Sequence, residues 1–384
     1  MTLRMDQVAA RLPGVVDRYE QQRAEIERGL DLAGRALDRW AADPEAGNAR
    51  IAAAMAGRDD PYALTTAENP GRVGPVPGDP APGTVVAVDG SDIGPDRFSA
   101  VRCYVLNIGR VALPYGVPGE PALEAEATVD LEAVPGDGEP GPPVTAQSLR
   151  LYRDVRELQE GIALAERRLD HGPVTLLLDG TLLPWDLHGR QVTGVALEWF
   201  RGETKAALDR GRDVARSHQR LAVGGYISGS AARDVVTSLR ELADGVATAW
   251  PLSDAQLFAR ILEDGQRSAV FAATSNRPER VEQYLTADHA VRFFYLRVGA
   301  DIARVEVPAW AADAARVEQL HATLVQQCRL CGGYPRALQE AHEQAVISSG
   351  DRQQFARLLE HIAGGRGLRA LANGKSMSKR RRAL

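Results

Sequence analysis

Apolar positions recur every three or four residues over the first 57 positions, with charged side chains between them. This spacing predicts a helix, because 3.6 residues per turn bring such positions onto one face. A connector rich in proline and glycine follows and is typical of a loop or linker. We expect a helical arm over 1–67, a linker over 68–83, a main domain over 84–362 and a flexible tail over 363–384.

Short apolar runs replace the helical period from residue 84 onwards. They predict strands near 84–89, 100–113, 126–134, 174–179 and 220–228, and a pair within 290–308. Helical periodicity predicts helices near 145–169, 199–217, 230–242, 311–330 and 335–362. The strands come first as antiparallel neighbours and then alternate with helices. The predicted fold class is therefore α/β, a mixed sheet with helices on its faces.

Two of the predicted strands end in an aspartate followed by a glycine. They are AVDGS, which carries Asp89, and LLLDGT, which carries Asp179. Ligands of α/β proteins bind at the carboxyl ends of strands, so the two carboxylates meet there if the strands are neighbours. Close carboxylates repel, and a divalent cation such as Mg²⁺ or Mn²⁺ offsets the repulsion. Asp-Gly is also a common turn dipeptide, so a turn role stays open.

Further candidate ligands lie on two predicted helices. Glu157 lies in the helix before the second aspartate strand, with Glu160 and Glu166 as rivals, and each of the three is also compatible with a solvated charge. His342 follows Leu338 by four residues, which predicts an inward position. An inward histidine is usually a hydrogen-bonded core residue, and beside two carboxylates it is also a candidate metal ligand.

The charge distribution separates the tail from the rest of the chain. The net charge is −5, whereas residues 366–384 carry seven basic and no acidic side chains. Such a tail binds phosphates without sequence preference, or serves only to keep the chain soluble. The sequence predicts neither a signal peptide nor a membrane span, and we expect a cytoplasmic protein. The lone Cys328 and Cys331 pair falls short of the four ligands of a structural zinc site.

Two other enzyme classes share part of the aspartate motifs. Haloacid-dehalogenase phosphatases place their nucleophile two residues before the aspartate of Asp-Gly-Thr, where this chain has Leu177, which excludes that chemistry. The stretch AVDGSDIG also resembles the phosphate loop of actin-like ATPases. That class needs a late glycine-rich adenosine motif, for which GGRG (364–367) is a poor candidate.

The ordered set of motifs resembles the NurA family of DNA-end-processing nucleases over roughly residues 84–360. The motifs are AVDGS (87–91), YRDVRELQ (152–159), LLLDGTLLPWDL (176–187), VGGYIS (223–228), RVEVPAW (304–310) and YPRALQEAH (334–342). The resemblance implies a ribonuclease-H-like core and Mn²⁺-dependent single-strand endonuclease and 5′-to-3′ exonuclease activity. It also implies a toroidal homodimer and a HerA-type hexameric ATPase as partner in DNA end resection for recombinational repair.

The family's metal-binding positions fall on four residues of this chain, with Mn²⁺ as the implied ion and Mg²⁺ as the alternative. Asp89, Asp179 and His342 match the acidic and histidine positions, and the helical glutamate matches Glu157, with Glu160 as the alternative. The resemblance therefore implies that these side chains hold the metal and carry the hydrolysis.

One departure from the family pattern concerns a strand that contains a lysine in many members. This chain has Tyr226 and Ser228 there, and the nearest cation is Arg233. We expect Arg233 to bind phosphate, and Tyr226 either to orient the attacking water or to pack its ring. The basic tail is expected to guide the DNA strand through Lys379, Arg380, Arg381 and Arg382. The alternatives to a nuclease are a non-catalytic adaptor for DNA ends or the translocase, and an actin-like ATP-binding protein.

Overall fold

The computed structural model describes residues 3–56, 62–131, 133, 144–182, 192, 194–243, 250–275 and 287–368. The α-helices are α1 (Met5–Ala42), α2 (Pro44–Met55), α3 (Ala146–Arg168), α4 (Gly194–His218), α5 (Asp234–Leu242), α6 (Asp254–Ile261), α7 (Ala314–Leu330), α8 (Arg336–Ala345) and α9 (Ser349–Gly365). The strands are β1 (Tyr62–Thr66), β2 (Gly83–Ile93), β3 (Cys103–Tyr115), β4 (Ala122–Leu131), β5 (Val174–Asp179), β6 (Leu221–Ile227), β7 (Phe271–Ser275), β8 (Val291–Val298) and β9 (Asp301–Pro308).

The chain forms two compact units, each assembled from separate stretches. The arm unit contains 1–78, 227–282 and 290–306, and the core unit contains 79–226, 283–289 and 307–384. The strands of the described residues form a mixed sheet. The order is β1-β7-β8-β9 within the arm unit and β6-β5-β2-β3-β4 within the core unit. The predicted α/β class, with a mixed sheet, flanking helices and an N-terminal helical arm, is confirmed.

The core unit places the two aspartate strands side by side. Strands β2, β3 and β4 form an antiparallel meander, whereas β5 runs parallel to β2, and β6 runs parallel to β5. This combination of three antiparallel and two parallel strands is the ribonuclease-H-like arrangement implied by the motifs. Val88 pairs with Leu178, so the next residues, Asp89 and Asp179, lie at equivalent positions on neighbouring strands.

Helix α3 covers one face of this sheet and α8 covers the other. Side chains of a strand alternate between its faces, and Asp89 pairs with Gly109, which lies against the backbone of α8. The next residue, Gly90, therefore faces α3, where a Cβ would lie 2.7 Å from Arg153 Cγ and 2.8 Å from Glu157 Oε1. The two helices thus approach the same segment of β2 from opposite sides.

Three details of the predicted elements change. Strand β2 does not end at Asp89 but continues to Ile93, so the predicted turn there is wrong, and Gly90 serves close packing instead. At Asp179 the strand does end, and Gly180 has a φ of 94°, which confirms a glycine turn.

The predicted helix over 335–362 is two helices, with Ser348 capping α9. Three short elements, β1, α6 and β7, were not predicted.

The remaining predictions concern membrane segments, domain boundaries, the basic tail and the cysteines. No helix among the described residues has the length and apolar character that a membrane crossing requires. The predicted domain boundaries remain predictions, and basic residues 379–382 of the tail lie outside the described residues. Cys103, Cys328 and Cys331 form no disulfide.

Replacing Gly109 by alanine should destabilise the core unit and displace α8. The new Cβ would lie 2.5 Å from the Ala341 carbonyl oxygen and 2.7 Å from the Ala345 nitrogen, and these backbone atoms yield only if the helix moves. We expect a loss of about 1–3 kcal/mol, measured by denaturant unfolding. Gly202→Ala in α4 is the control, since a Cβ there meets nothing within 4 Å. Equal stability of both variants would show that α8 is not packed as described.

Candidate active site

Asp89 on β2 and His342 on α8 form a direct pair. Nδ1 of His342 lies 2.8 Å from Oδ2 of Asp89. The Asp89 side chain is mostly buried, with 15% exposed, whereas that of His342 is 64% exposed. The prediction that His342 is an inward, buried residue is therefore wrong. Its ring is mostly exposed, and only the Nδ1 atom reaches the carboxylate.

The position of His342 depends on how the end of α8 is attached to the sheet. Asn107 Nδ2 donates to the carbonyl oxygens of Gln344, at 3.2 Å, and Ala345, at 2.8 Å. Ser91 donates its hydroxyl proton to the Ala345 carbonyl oxygen as well. These bonds satisfy carbonyl groups that have no partner within the helix, and they hold the last turn of α8 over β2 and β3.

Asp179 has a different partner, Tyr334, which lies just before α8. The Tyr334 hydroxyl donates a hydrogen bond to the Asp179 carboxylate. The ring of Tyr334 meets the ring of Tyr226 edge to face, with the centroids 5.5 Å apart. Tyr226 is fully buried, which agrees with the ring-packing interpretation of this residue. Its predicted catalytic role stays a prediction.

Glu157 is the buried member of the acidic set. The residue is 8% exposed, and its Oε1 atom has no hydrogen-bond partner although Nε of Arg153 lies 3.2 Å away. The two atoms are close enough for an ion pair but are not aligned for a hydrogen bond. Burial of an oxygen without a hydrogen bond is costly, and the ion pair with Arg153 offsets part of that cost.

The structure distinguishes Glu157 from its rival Glu160. Glu160 Oε2 lies 3.0 Å from Arg110 Nε, and its Oε1 lies 2.6 Å from an Arg156 terminal nitrogen. Those two ion pairs satisfy Glu160 without the aspartates. Glu157, not Glu160, is the helical glutamate whose charge interacts with both aspartates.

The electrostatic environment of Glu157 is dominated by burial. Burial raises the pKa of Glu157 well above its usual value, and the charge of Asp154 raises it further. Arg153 opposes this shift, whereas Asp89 and Asp179 add to it. Positive charge close to Glu157 would therefore stabilise its ionised form.

The pKa of Asp179 is also set by opposing effects, and its shift is smaller than that of Glu157. Desolvation by the surrounding protein raises its pKa, and the hydrogen bond from Tyr334 opposes this shift. The negative charge of Asp89 raises the pKa as well, whereas His342 and Arg153 lower it. The charges of β2, β5, α3 and α8 thus act on one another within the core unit.

A cavity of about 200 Å³ opens beside two of these carboxylates. Its wall consists of Asp154, Val155, Glu157, Leu158, Leu178, Asp179, Gly180, Thr181, Leu182 and Thr204. The wall combines apolar side chains with carboxylate and hydroxyl oxygens. Glu157 and Asp179 are therefore both accessible to a small ligand from the same side.

The donor chemistry fits a hard divalent cation. Three carboxylates and an imidazole are the ligand types that Mg²⁺ and Mn²⁺ accept, and Oε1 of Glu157 is a buried oxygen without a hydrogen bond. In the part of the chain that the structure describes, however, no three His, Cys, Asp or Glu side chains form a ready metal-binding group. The reason is that Asp89 points towards α8 whereas Glu157 approaches from α3. The residues fit a cation, but they do not form a closed shell.

Asp89 contacts His342 directly, and the charges of Asp89 and Asp179 act on Glu157 within the core unit. Arg233 belongs to the arm unit, where it is the N-cap residue directly before α5. Sequence reasoning missed Tyr334 and Arg153. The signal for Tyr334 was its place at the head of the YPRALQEAH motif, eight residues before His342.

The fold and the site define a ribonuclease-H-like α/β protein with an acidic cluster beside a histidine. The sequence matches the NurA domain over residues 83–347, and the chain belongs to the NurA family.

Two solved structures align with this chain, and the first of them shares its fold. The NurA nuclease from Sulfolobus solfataricus has a TM-score of 0.55 at 14% identity, covering 95% of this chain and 98% of that one. The catalytic domain of human Endonuclease V is a weaker match, with a TM-score of 0.32 at 16% identity, covering 75% and 86%. No functionally curated protein matches this sequence.

Neutralising the two glutamates of α3 should change stability in opposite directions. Glu157→Gln removes a buried charge that its acidic neighbours repel, so we expect the metal-free protein to gain about 1 kcal/mol. Glu160→Gln breaks two ion pairs and should lose about 1 kcal/mol. Denaturant unfolding of both variants in chelator at neutral pH measures the two signs. A loss at Glu157 as large as that at Glu160 would contradict the described electrostatics.

Proposed function

We propose that this protein is a metal-dependent deoxyribonuclease of the NurA type, which hydrolyses phosphodiester bonds. Membership of the NurA family and the ribonuclease-H-like core support a nuclease of this type. The single observation that carries the proposal is the cluster of Asp89, Glu157, Asp179 and His342, in which the acidic charges repel one another. Mn²⁺ is the proposed ion, and Mg²⁺ is the alternative.

The proposed roles of the residues follow from their contacts. Asp89, Glu157, Asp179 and His342 would hold the cation. A bound divalent cation supplies an activated water and stabilises the leaving oxygen in phosphodiester hydrolysis. His342 orients the Asp89 carboxylate through Nδ1, and Tyr334 orients Asp179 through its hydroxyl group. The tyrosine thereby keeps one oxygen of Asp179 in a fixed direction, which preorganises the site.

The proposed substrate is DNA, both as single strands and as duplex ends, with endonuclease and 5′-to-3′ exonuclease activity. Arg233, whose side chain is exposed, and the basic tail residues 379–382 are the proposed phosphate contacts. Contacts of this type carry no sequence information, which suits an enzyme that processes DNA ends of any sequence. The proposed cellular role is end resection for recombinational repair in the cytoplasm, with a HerA-type hexameric ATPase.

A proposed homodimer is supported by the first half of α1. Every buried residue of this 38-residue helix lies at or after Gly29. The earlier half exposes large apolar side chains at Met5, Leu12, Val15, Val16 and Tyr19. An apolar stripe of this kind is typical of a protein–protein contact. Light scattering of the purified chain distinguishes a dimer from a monomer.

The alternative functions make different predictions for simple measurements. A non-catalytic adaptor, whether for DNA ends or for the translocase, would bind DNA without cleaving it in Mn²⁺. An actin-like protein would bind ATP in isolation. The buried Glu157, whose oxygen lacks a hydrogen bond, favours the nuclease, since neither alternative needs that arrangement.

Asp89→Asn should abolish cleavage while the fold is retained. The amide keeps the shape of the side chain but loses the negative charge that would bind the cation. We expect at least a 100-fold loss of cleavage of a labelled single strand in Mn²⁺, and no cleavage by the natural protein in EDTA. Asp130→Asn, at an exposed aspartate of β4, is the matched control and should cleave normally. Full activity of Asp89→Asn would refute the proposed site.

Tyr334→Phe should impair cleavage more than Tyr226→Phe. The first change removes the hydroxyl that holds Asp179, and the second leaves the ring that packs on Tyr334. We expect about a tenfold loss of rate for Tyr334→Phe, which corresponds to one hydrogen bond to a charged group. Single-turnover cleavage of a labelled strand measures both variants. The reverse order would support the predicted catalytic role of Tyr226.

A further inference from the structure

Arg153 lies on α3 one turn before Glu157 and contacts three carboxylates. Its Nε atom lies 3.2 Å from Oε1 of Glu157. One terminal nitrogen is 3.3 Å from Oδ1 of Asp154, and the other is 3.6 Å from Oδ1 of Asp92 on β2. One guanidinium group thus links α3 to the strand that carries Asp89.

The position of this side chain is built into the backbone of β2. Gly90 leaves room for the stem of Arg153, because a Cβ at that position would lie 2.7 Å from Arg153 Cγ. The same Cβ would lie 2.8 Å from the Oε1 atom of Glu157. The glycine after Asp89 therefore lets the cation and the buried carboxylate approach the strand together.

The charge of Arg153 is permanent, which makes it a suitable partner for carboxylates that must stay ionised. A guanidinium does not lose its proton in proteins, and its planar donors match carboxylate oxygens. Arg153 is 30% exposed at its side chain, against 11% for Glu157, so its charge is only partly screened by solvent. It lowers the pKa of Glu157 against the effects of burial and Asp154.

We propose that Arg153 is the resident counter-ion of the acidic cluster, which holds Glu157 in place and balances its charge whenever no metal ion is bound. This inference rests on the proposed function, because it treats the cluster as a site for a divalent cation. Arg153 is a positioning residue, since it acts through Glu157. Its positive charge offsets the repulsion among the carboxylates that it contacts.

The test compares melting temperatures of the full chain in EDTA and in Mn²⁺. In EDTA, Arg153→Gln should melt several degrees below the natural protein, because the cluster has lost its cation. Mn²⁺ should restore more than half of that loss. Arg153→Lys, which keeps the charge, should lose less than half as much as Arg153→Gln. Arg156→Gln is the matched control on the same helix, since Arg156 pairs with Glu160, and its loss should be the same in both solutions.

A second change separates charge balance from packing. If Arg153 balances Glu157, then Glu157→Gln in the Arg153→Gln background should restore most of the melting temperature in EDTA. A loss in Arg153→Gln that neither Mn²⁺ nor Glu157→Gln reduces would show that Arg153 only packs, and would overturn the proposal. An absence of any loss would overturn it too.

Failure of the proposed function gives a different result. If calorimetry with the natural protein detects no binding of Mn²⁺, the metal site is refuted. The comparison of Arg153→Gln with the Arg153→Gln and Glu157→Gln double variant in EDTA then still decides the role of Arg153. Restoration by the double variant would support the counter-ion, and a lasting loss would contradict it.

Discussion

The candidate site depends on one constraint, the burial of carboxylates near the end of a parallel strand pair. The pairing of β2 with β5 brings Asp89 and Asp179 to equivalent positions, and α3 adds the buried Glu157. Each carboxylate has its own partner, namely His342, Tyr334 or Arg153. His342 and Tyr334 belong to α8 and the residues just before it, and Arg153 belongs to α3, so the partners depend on both helices being docked on the sheet.

Attachment of α8 links the fold to this chemistry. Gly109 allows the helix backbone to lie directly on β3, and Asn107 and Ser91 bind its last carbonyl groups. Tyr334 precedes this helix and His342 lies within it, so one docked segment supplies partners to both aspartates. A small shift of α8 would therefore move the partners of both aspartates, even though the aspartates lie on other elements.

The sequence alone predicts those parts of the molecule that depend on local patterns. Apolar runs locate β2 and β5, and the helical period locates α3, because burial of one face governs these elements. The Asp-Gly motif is ambiguous, since glycine serves a turn at Gly180 and close packing at Gly90. Tyr334 and Arg153 escape prediction because their roles arise from contacts with residues distant in sequence or on another element. The motif YPRALQEAH marks Tyr334 as a candidate, but no local pattern distinguishes Arg153 from an ordinary surface side chain.

The buried carboxylate of Glu157 is hard to explain as a purely structural feature. A buried carboxylate oxygen without a hydrogen bond destabilises a protein, and apolar side chains of similar size would fill the same space at lower cost. Arg153 offsets part of the charge of Glu157, yet its Nε atom is not aligned for a hydrogen bond to Oε1. Features that oppose stability in this way are expected where function requires them. The buried oxygen of Glu157 without a hydrogen bond therefore supports the proposal that this carboxylate binds a cation.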